Sequence, residues 1–173
     1  MRELITGCMF AGKTSEMLRR MRRESIAGKA TMLVCHASDT RYTSDGAVAS
    51  HDGARVRAVK VECIKDAVKQ MQAADIVFVD EAQFFSDLHE LAAVPNVVAA
   101  GLLHQYTGQT FPHMMDTMDL WHNITFLHAV CSKCGSQYAC RTQRTAPVGD
   151  SMVGGAESYT PVCAKCFISQ QHG

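Results

Sequence analysis

Apolar residues along this chain come in short blocks whose spacing switches between two periods. Leu4-Ile5 is a brief strand-like step, and beyond a glycine-bearing break Met17, Leu18 and Met21 share one helical face. Arg19, Arg20, Arg22 and Arg23 lie mostly elsewhere on that helix. Gly28-Lys29 closes it, and Thr31-Met32-Leu33-Val34-Cys35 reads as a second strand. Residues 38–53, rich in Ser, Thr, Asp and Gly, predict a long polar loop of the kind that usually carries function or disorder. Arg55–Val61 alternates Val56, Ala58 and Val59 with charges, as a strand does, and Ile64, Ala67, Val68 and Met71 follow at helical spacing. Ile76-Val77-Phe78-Val79 is a buried-strand run ending in Asp80-Glu81, after which Phe84, Phe85, Leu88 and Leu91 predict another helix. Val97–Gly101 is a further strand, Leu102–Pro112 a loop, His113–Trp121 helical, and Ile124–Val130 the last strand of the sheet. Such alternation favours an α/β fold with a mostly parallel sheet covered by helices on both faces.

At Cys131 the character changes: the remaining chain is rich in Cys, Gly, Ser and Thr and lacks helical periodicity. The predicted organisation is therefore an α/β nucleotide-binding domain over residues 1–130 and a small metal-binding subdomain over 131–173. No internal repeat or low-complexity tract is visible.

Composition narrows the function classes. With 173 residues, 47% hydrophobic and 20% charged, the chain can bury an ordinary core. A formal net charge of zero gives no global reason to expect a nucleic-acid partner, and the Arg19–Arg23 run reads first as a solvated helix face. Pro95 and Asn96 interrupt the longest apolar stretch, so no membrane span is expected. With no charged-then-apolar leader ahead of residue 7, a cytoplasmic location is the expectation.

The glycine-bearing break is Gly7-Cys8-Met9-Phe10-Ala11-Gly12-Lys13-Thr14, a full match to the phosphate-loop pattern G-x-x-x-x-G-K-[ST]. Glycines let the backbone wrap a phosphate chain so that successive N–H groups point at its oxygens. Lys13 is placed to reach the β- and γ-phosphates, Thr14 to offer a hydroxyl to Mg²⁺, and the helix N-terminus adds a favourable dipole. With a strand before it and a helix after it, the pattern predicts a phosphate-loop NTPase-like sheet. Asp80 and Glu81 stand where such folds place a second element. An acid at the carboxyl end of a buried strand can hold Mg²⁺, usually through water, and its neighbour can act as general base. Two solvated acids at a strand end are the plainer alternative.

Cys131-Ser132-Lys133-Cys134 and Cys163-Ala164-Lys165-Cys166 form two C-x-x-C pairs separated by 28 residues. Two such pairs complete a closed tetrahedral Cys₄ site for Zn²⁺, with a structural role because no coordination position stays open. A thioredoxin-like redox motif is the rival reading, disfavoured by a Gly/Ser-rich tail carrying both pairs. Cys8, Cys35, Cys63 and Cys140 read as buried or incidental thiols, and the eight histidines show no ligand spacing.

Loop, acidic pair and cysteine-tied tail, in this order and over nearly the whole chain, resemble the type II thymidine kinases. Met9-Phe10 inside the phosphate loop resembles the family's G-x-M-F-x-G-K-[ST]. Asp39-Thr40-Arg41-Tyr42 resembles its D-x-R-Y segment, with Ser50–Gly53 after it, and Asp80-Glu81-Ala82-Gln83-Phe84-Phe85 its D-E-[AG]-Q-F-F. Gly101-Leu102 begins its substrate loop, and Val153-Gly154-Gly155 with Tyr159 resembles its lasso.

The resemblance implies transfer of the γ-phosphate of MgATP to the 5′-hydroxyl of thymidine or deoxyuridine. Glu81 would be the base on that hydroxyl. Gly7, Met9, Phe10, Ala11, Gly12, Lys13, Thr14, Asp39, Arg41, Asp80 and Gln83 would handle ATP and Mg²⁺. Met9, Phe84, Leu102, Tyr106, Phe111 and Thr142 would line the nucleoside pocket. The backbone at Met152, Val153 and Gly154 would read the base beside Tyr159, on a lasso stapled by zinc at Cys131, Cys134, Cys163 and Cys166. The family further implies a homotetramer or homodimer, feedback by the end-product triphosphate, and no nucleic-acid or membrane partner. The chain departs from the family pattern at Cys8, where proline is usual, at Leu103, where an acid is usual, and at Thr107, Gly108 and Gln109, where basic residues are expected. Two alternatives stay open: a nucleotide-binding member that has lost or changed its chemistry, and another zinc-ribbon phosphate-loop ATPase.

Overall fold

A computed structural model describes residues 1–39, 47–49, 55–145 and 158–171. Strands β1 (Arg2–Gly7), β2 (Thr31–His36), β3 (Ala47–Ala49), β4 (Arg55–Val61), β5 (Ile76–Asp80), β6 (Val97–Gly101) and β7 (Asn123–Leu127) form one sheet in the order β3-β4-β2-β5-β6-β1-β7. Every pairing is parallel except β3 with β4. β3 stands within the segment predicted as a continuous loop.

The central strands are apolar throughout because both their faces are covered. Alternate side chains enter two separate cores. Leu4, Val34, Val77, Val79, Val97 and Ala99 point to one, and Ile5, Leu33, Phe78, Val98 and Ala100 to the other. The second core is closed by α1 (Lys13–Ile26), through the predicted Met17 and Met21. Short elements close the first: α2 (Val68–Gln72), α3 (Pro112–Asp116) and 3-10 turns at Ile64–Asp66, Ala82–Phe84, Leu88–Ala93 and Met118–Leu120.

The helix predicted from Phe84 to Leu91 is thus two 3-10 turns with an extended Phe85 between them (φ −85°, ψ 115°). Phe85, Leu88 and Leu91 still reach the core, which is what their spacing required. The break lets the Asp87 carboxylate turn away and accept the N–H groups of Ile64 and Lys65, each over 3.0 Å. The predicted helix over His113–Trp121 breaks at Thr117, whose hydroxyl bonds back to the carbonyl of His113 over 2.8 Å. β7 ends at Leu127 instead of Val130, because Ala129 bridges to Ala139 and leads the chain out of the sheet.

The tail holds a two-stranded antiparallel sheet, β8 (Arg141–Arg144) with β9 (Tyr159–Val162), and then α4 (Ala164–Gln171). α4 corrects the expectation that this region lacks helix. Cys166 and Phe167 on it pack against a third cluster of Cys8, Ala129, Cys131, Ala139 and Val162. This cluster joins the tail to the phosphate loop. Among the described residues no helix is long and apolar enough to cross a membrane.

Candidate active site

Because β1, β2, β5 and β6 run parallel, the segments leaving their carboxyl ends gather along one edge of the sheet. Gly7 ends β1 in a backbone only glycine tolerates (φ +144°), and a Cβ there would stand 2.1 Å from the Leu127 carbonyl oxygen. Gly12 caps α1 at φ +83°. Between them Phe10, half-exposed, is held at φ +66°, a conformation that costs a non-glycine residue free energy and clusters at functional loops. Lys13 follows at the first position of α1, and its Nζ donates to the Cys8 carbonyl over 2.8 Å.

Thr14 reaches across to β5. Its hydroxyl lies 3.1 Å from both carboxylate oxygens of Asp80, which is almost fully buried and also accepts the Glu81 N–H over 3.0 Å. The hydroxyl and acid expected around one Mg²⁺ are therefore adjacent, and oxygen donors of this kind suit that hard cation. Glu81 turns off the strand in the left-handed region (φ 51°, ψ 46°). Its carboxylate accepts from Gln83 Nε2, while Gln83 Oε1 accepts the Leu102 N–H over 2.9 Å. Gln83, expected among the ATP and Mg²⁺ ligands, is buried with both ends of its carboxamide engaged inside the protein.

Leu102 opens the loop after β6, which folds back on itself through a bridge between His104 and Thr110 and a bond from Phe111 N to the Leu103 carbonyl. The departing residues Thr107, Gly108 and Gln109 form its tip, with Gly108 at φ +90°. Tyr106 faces Tyr159 of β9 with ring centroids 5.9 Å apart, and the Arg144 guanidinium lies 5.6 Å over the Tyr106 ring. Burial lowers the pKa of His104, aided by the nearby Arg141 cation. Phe84 is about half-exposed at the same edge, with the His36 ring 6.0 Å away. Phe111 caps α3 and packs on the first core. Thr142, almost fully buried, accepts the Met9 N–H on its hydroxyl oxygen over 3.0 Å. Asp39 is buried just past β2. Arg41, Met152, Val153 and Gly154 lie outside the described residues. His36, His104 and Arg144 carry no motif legible in the sequence; the ends of β2 and β6 place the two histidines, and the packing of β8 against the loop after β6 places Arg144.

The sulfur atoms of Cys131, Cys134, Cys163 and Cys166 all lie within 4.8 Å of one another, and those of Cys134 and Cys163 are 3.7 Å apart. A zinc tetrahedron with bonds of about 2.3 Å has edges of about 3.8 Å, so the thiols stand at close to coordinating spacing. The N–H of Cys163, helped by those of Cys134 and Lys133, lowers the Cys131 thiol to about 6. Cys166 is pushed up to about 12, chiefly by hydrogen bonding with Cys163 and then by burial. Four thiolates this close repel one another, and only a cation among them would let all four ionise.

A parallel sheet with a glycine loop leading into α1, and an acid of the sheet beside the loop's threonine, defines a phosphate-loop nucleotide-binding enzyme. The comparisons narrow the class. The family model for thymidine kinase matches residues 2–167. A thymidine kinase of Chloroflexus aurantiacus is 36% identical over 181 residues, covering 95% of this chain and 93% of the relative. One from Coprothermobacter proteolyticus is 41% identical over 176 residues, covering 93% and 87%. The chain belongs to the thymidine kinase family.

Proposed function

We propose that the protein transfers the γ-phosphate of MgATP to the 5′-hydroxyl of thymidine, and of deoxyuridine as a second acceptor. The observation that carries this reading is the Thr14–Asp80 contact, with the adjacent Glu81 linked through Gln83 to the start of the loop that follows β6. The phosphate loop from Gly7 to Thr14 binds the triphosphate through its N–H groups, and Lys13 exchanges the Cys8 carbonyl for phosphate oxygens. Thr14 and Asp80 hold Mg²⁺, which supplies charge neutralisation when bound. Arg41 and Asp39 would help to hold the phosphates of ATP. Glu81 accepts the proton of the nucleoside 5′-hydroxyl as its oxygen attacks the γ-phosphorus and the bond to the β,γ-bridging oxygen breaks to release ADP, a contribution typically of 10²–10⁴ in rate. Met9, Phe84, Leu102, Tyr106, Phe111 and Thr142 bound the slot for the base.

Residues 131–173 act as a zinc-stapled lasso closing over the nucleoside. Support comes from the four-thiol cluster and from Tyr159 on β9 facing Tyr106. Backbone groups around Met152 to Gly154, on a segment tied at both ends, would bind the base with less ordering cost than a free loop. The test is transfer of labelled γ-phosphate from MgATP to a panel of nucleosides, with Lys13→Ala as the blank. Product on thymidine or deoxyuridine that vanishes in the blank supports the kinase. ATP binding without product on any nucleoside overturns it.

A further inference from the structure

Five residues from three strand ends form one chain of hydrogen bonds, buried at Thr6 and part-buried toward Glu81. The Thr6 hydroxyl, one residue before the phosphate loop, donates to the Gly101 carbonyl over 2.9 Å. The next N–H, of Leu102, donates to Gln83 Oε1 over 2.9 Å, and Gln83 Nε2 donates to the Glu81 carboxylate. The orientation of the carboxamide admits no alternative. A backbone N–H can only donate and an ionised carboxylate can only accept, so oxygen must face Leu102 and nitrogen Glu81. The fit is close as well. A Cβ on Gly101 would stand 3.0 Å from Gln83 Oε1 and 3.1 Å from the Met114 terminal methyl, so any larger residue there would press on the amide. Gln83 is 3% exposed and has no surface left for solvent or ligand.

Glu81 leaves β5 in the left-handed region, at φ 51°, so its carboxylate is aimed by the turn and by what bonds to it rather than by regular strand geometry. We propose that Gln83 is a positioning residue: it aims the Glu81 carboxylate and ties it to the start of the loop after β6, so that the base and the acceptor loop move as one unit. The inference rests on the reading of Glu81 as the general base. It gives Gln83 a role apart from ATP, and it makes the Leu102 amide, through Gln83, part of the apparatus that holds the base.

Two variants separate the ends of the amide. Gln83→Met, of similar length, removes both bonds. Gln83→Glu keeps an acceptor for Leu102 but sets a second carboxylate against Glu81. In both, kcat for thymidine falls by roughly ten-fold or more, while the KM for ATP stays within about two-fold, because only the proton-accepting group is misplaced. The acid limb of kcat/KM moves to higher pH, by about one unit in Gln83→Met and further in Gln83→Glu, since a carboxylate that loses a donor or gains a like charge holds its proton more tightly. A purely structural residue would lower stability without moving that limb. Should Gln83→Met fail to fold, the near-isosteric Gln83→Glu decides alone. Glu81→Gln is measured in parallel. If it keeps normal turnover, the base reading fails. If it loses turnover while folded Gln83 variants keep the wild-type kcat and acid limb, the base reading stands and the positioning role is overturned.

Discussion

The backbone N–H of Met9 donates to Oγ1 of Thr142 over 3.0 Å, joining the phosphate loop to a strand 133 residues further along the chain. One position earlier the Cys8 thiol donates to the Ala139 carbonyl over 3.2 Å. The loop that would hold the nucleotide is thus held from behind by the cysteine-tied tail.

Thr142→Val removes the acceptor but keeps the shape of the side chain. An orphaned, partly buried N–H costs about 1–2 kcal/mol, so both stability and ATP affinity are expected to drop, the latter by up to roughly ten-fold. Thr142→Ser, which keeps the hydroxyl, should bind ATP nearly as wild type does. Calorimetric titration of the two variants with ATP makes the comparison, and equal affinities would show that the Met9 bond does not steady the loop.

Metal removal should reach the same loop by another route. Cys131 and Cys134 precede β8, and Cys163 and Cys166 follow β9, so a metal among them anchors both strands. Chelation is expected to weaken nucleoside binding and also ATP binding. ATP affinity should fall roughly ten- to thirty-fold if both ties to Met9 and Cys8 are lost at about 1 kcal/mol each. Affinities measured before and after chelation, and again after Zn²⁺ is restored, give the answer; unchanged ATP affinity would confine the metal's influence to the lasso.

Cys8 replaces the proline usual in this loop and is buried, which raises its thiol pKa against the opposing pull of the Ala129 N–H and the Lys13 cation. Alkylation proceeds through the thiolate and needs access, so Cys8 should be among the last thiols modified by iodoacetamide at neutral pH. Peptide mapping over a time course checks this, and early labelling of Cys8 would contradict its burial.

On α1, Arg19 and then Arg20 bond to the Glu16 carboxylate and hold it at about 2, below its ordinary 4.5. A depressed folded value contributes stability above pH 4.5 that is lost as pH falls toward 2. Solvent screening of the exposed Arg19 and the partly exposed Glu16 and Arg20 limits the gain to under about 1 kcal/mol. Glu16→Gln should therefore be slightly less stable than wild type at pH 7, with the gap closing in acid. Urea melts at pH 7 and pH 3 measure it, and a gap that widens in acid would have the wrong sign. The same contacts, with Arg20 also on Glu3 over 2.6 Å, show that Arg19 and Arg20 of this basic run are paired with acids.

Much of this protein could be read along the chain, because the deciding interactions there are local or periodic. The phosphate loop needs its glycines within eight consecutive residues, and Asp80-Glu81 follows directly from a run that must be a buried strand. The C-x-x-C pairs bring their thiols together by short-range geometry. Strand positions were legible because burial on both faces demands continuous apolar residues, and α1 because one face alone is buried.

The tertiary structure decided what depends on several distant segments at once. Whether Phe84–Leu91 is one helix or two turns depended on Asp87 capping Ile64 and Lys65, which spacing cannot reveal. α4 has no apolar face legible along the chain because the packing of Cys166 and Phe167 is against residues distant in sequence, Cys8 and Ala129 among them. The buried amide of Gln83, between Glu81 and Leu102, and the bond from Met9 to Thr142 have no local signature. The first pairs groups that the sheet brings within hydrogen-bond distance, because parallel strands deliver their carboxyl ends to a common edge whatever their separation in sequence; the second depends on the packing of the β8–β9 tail against the phosphate loop.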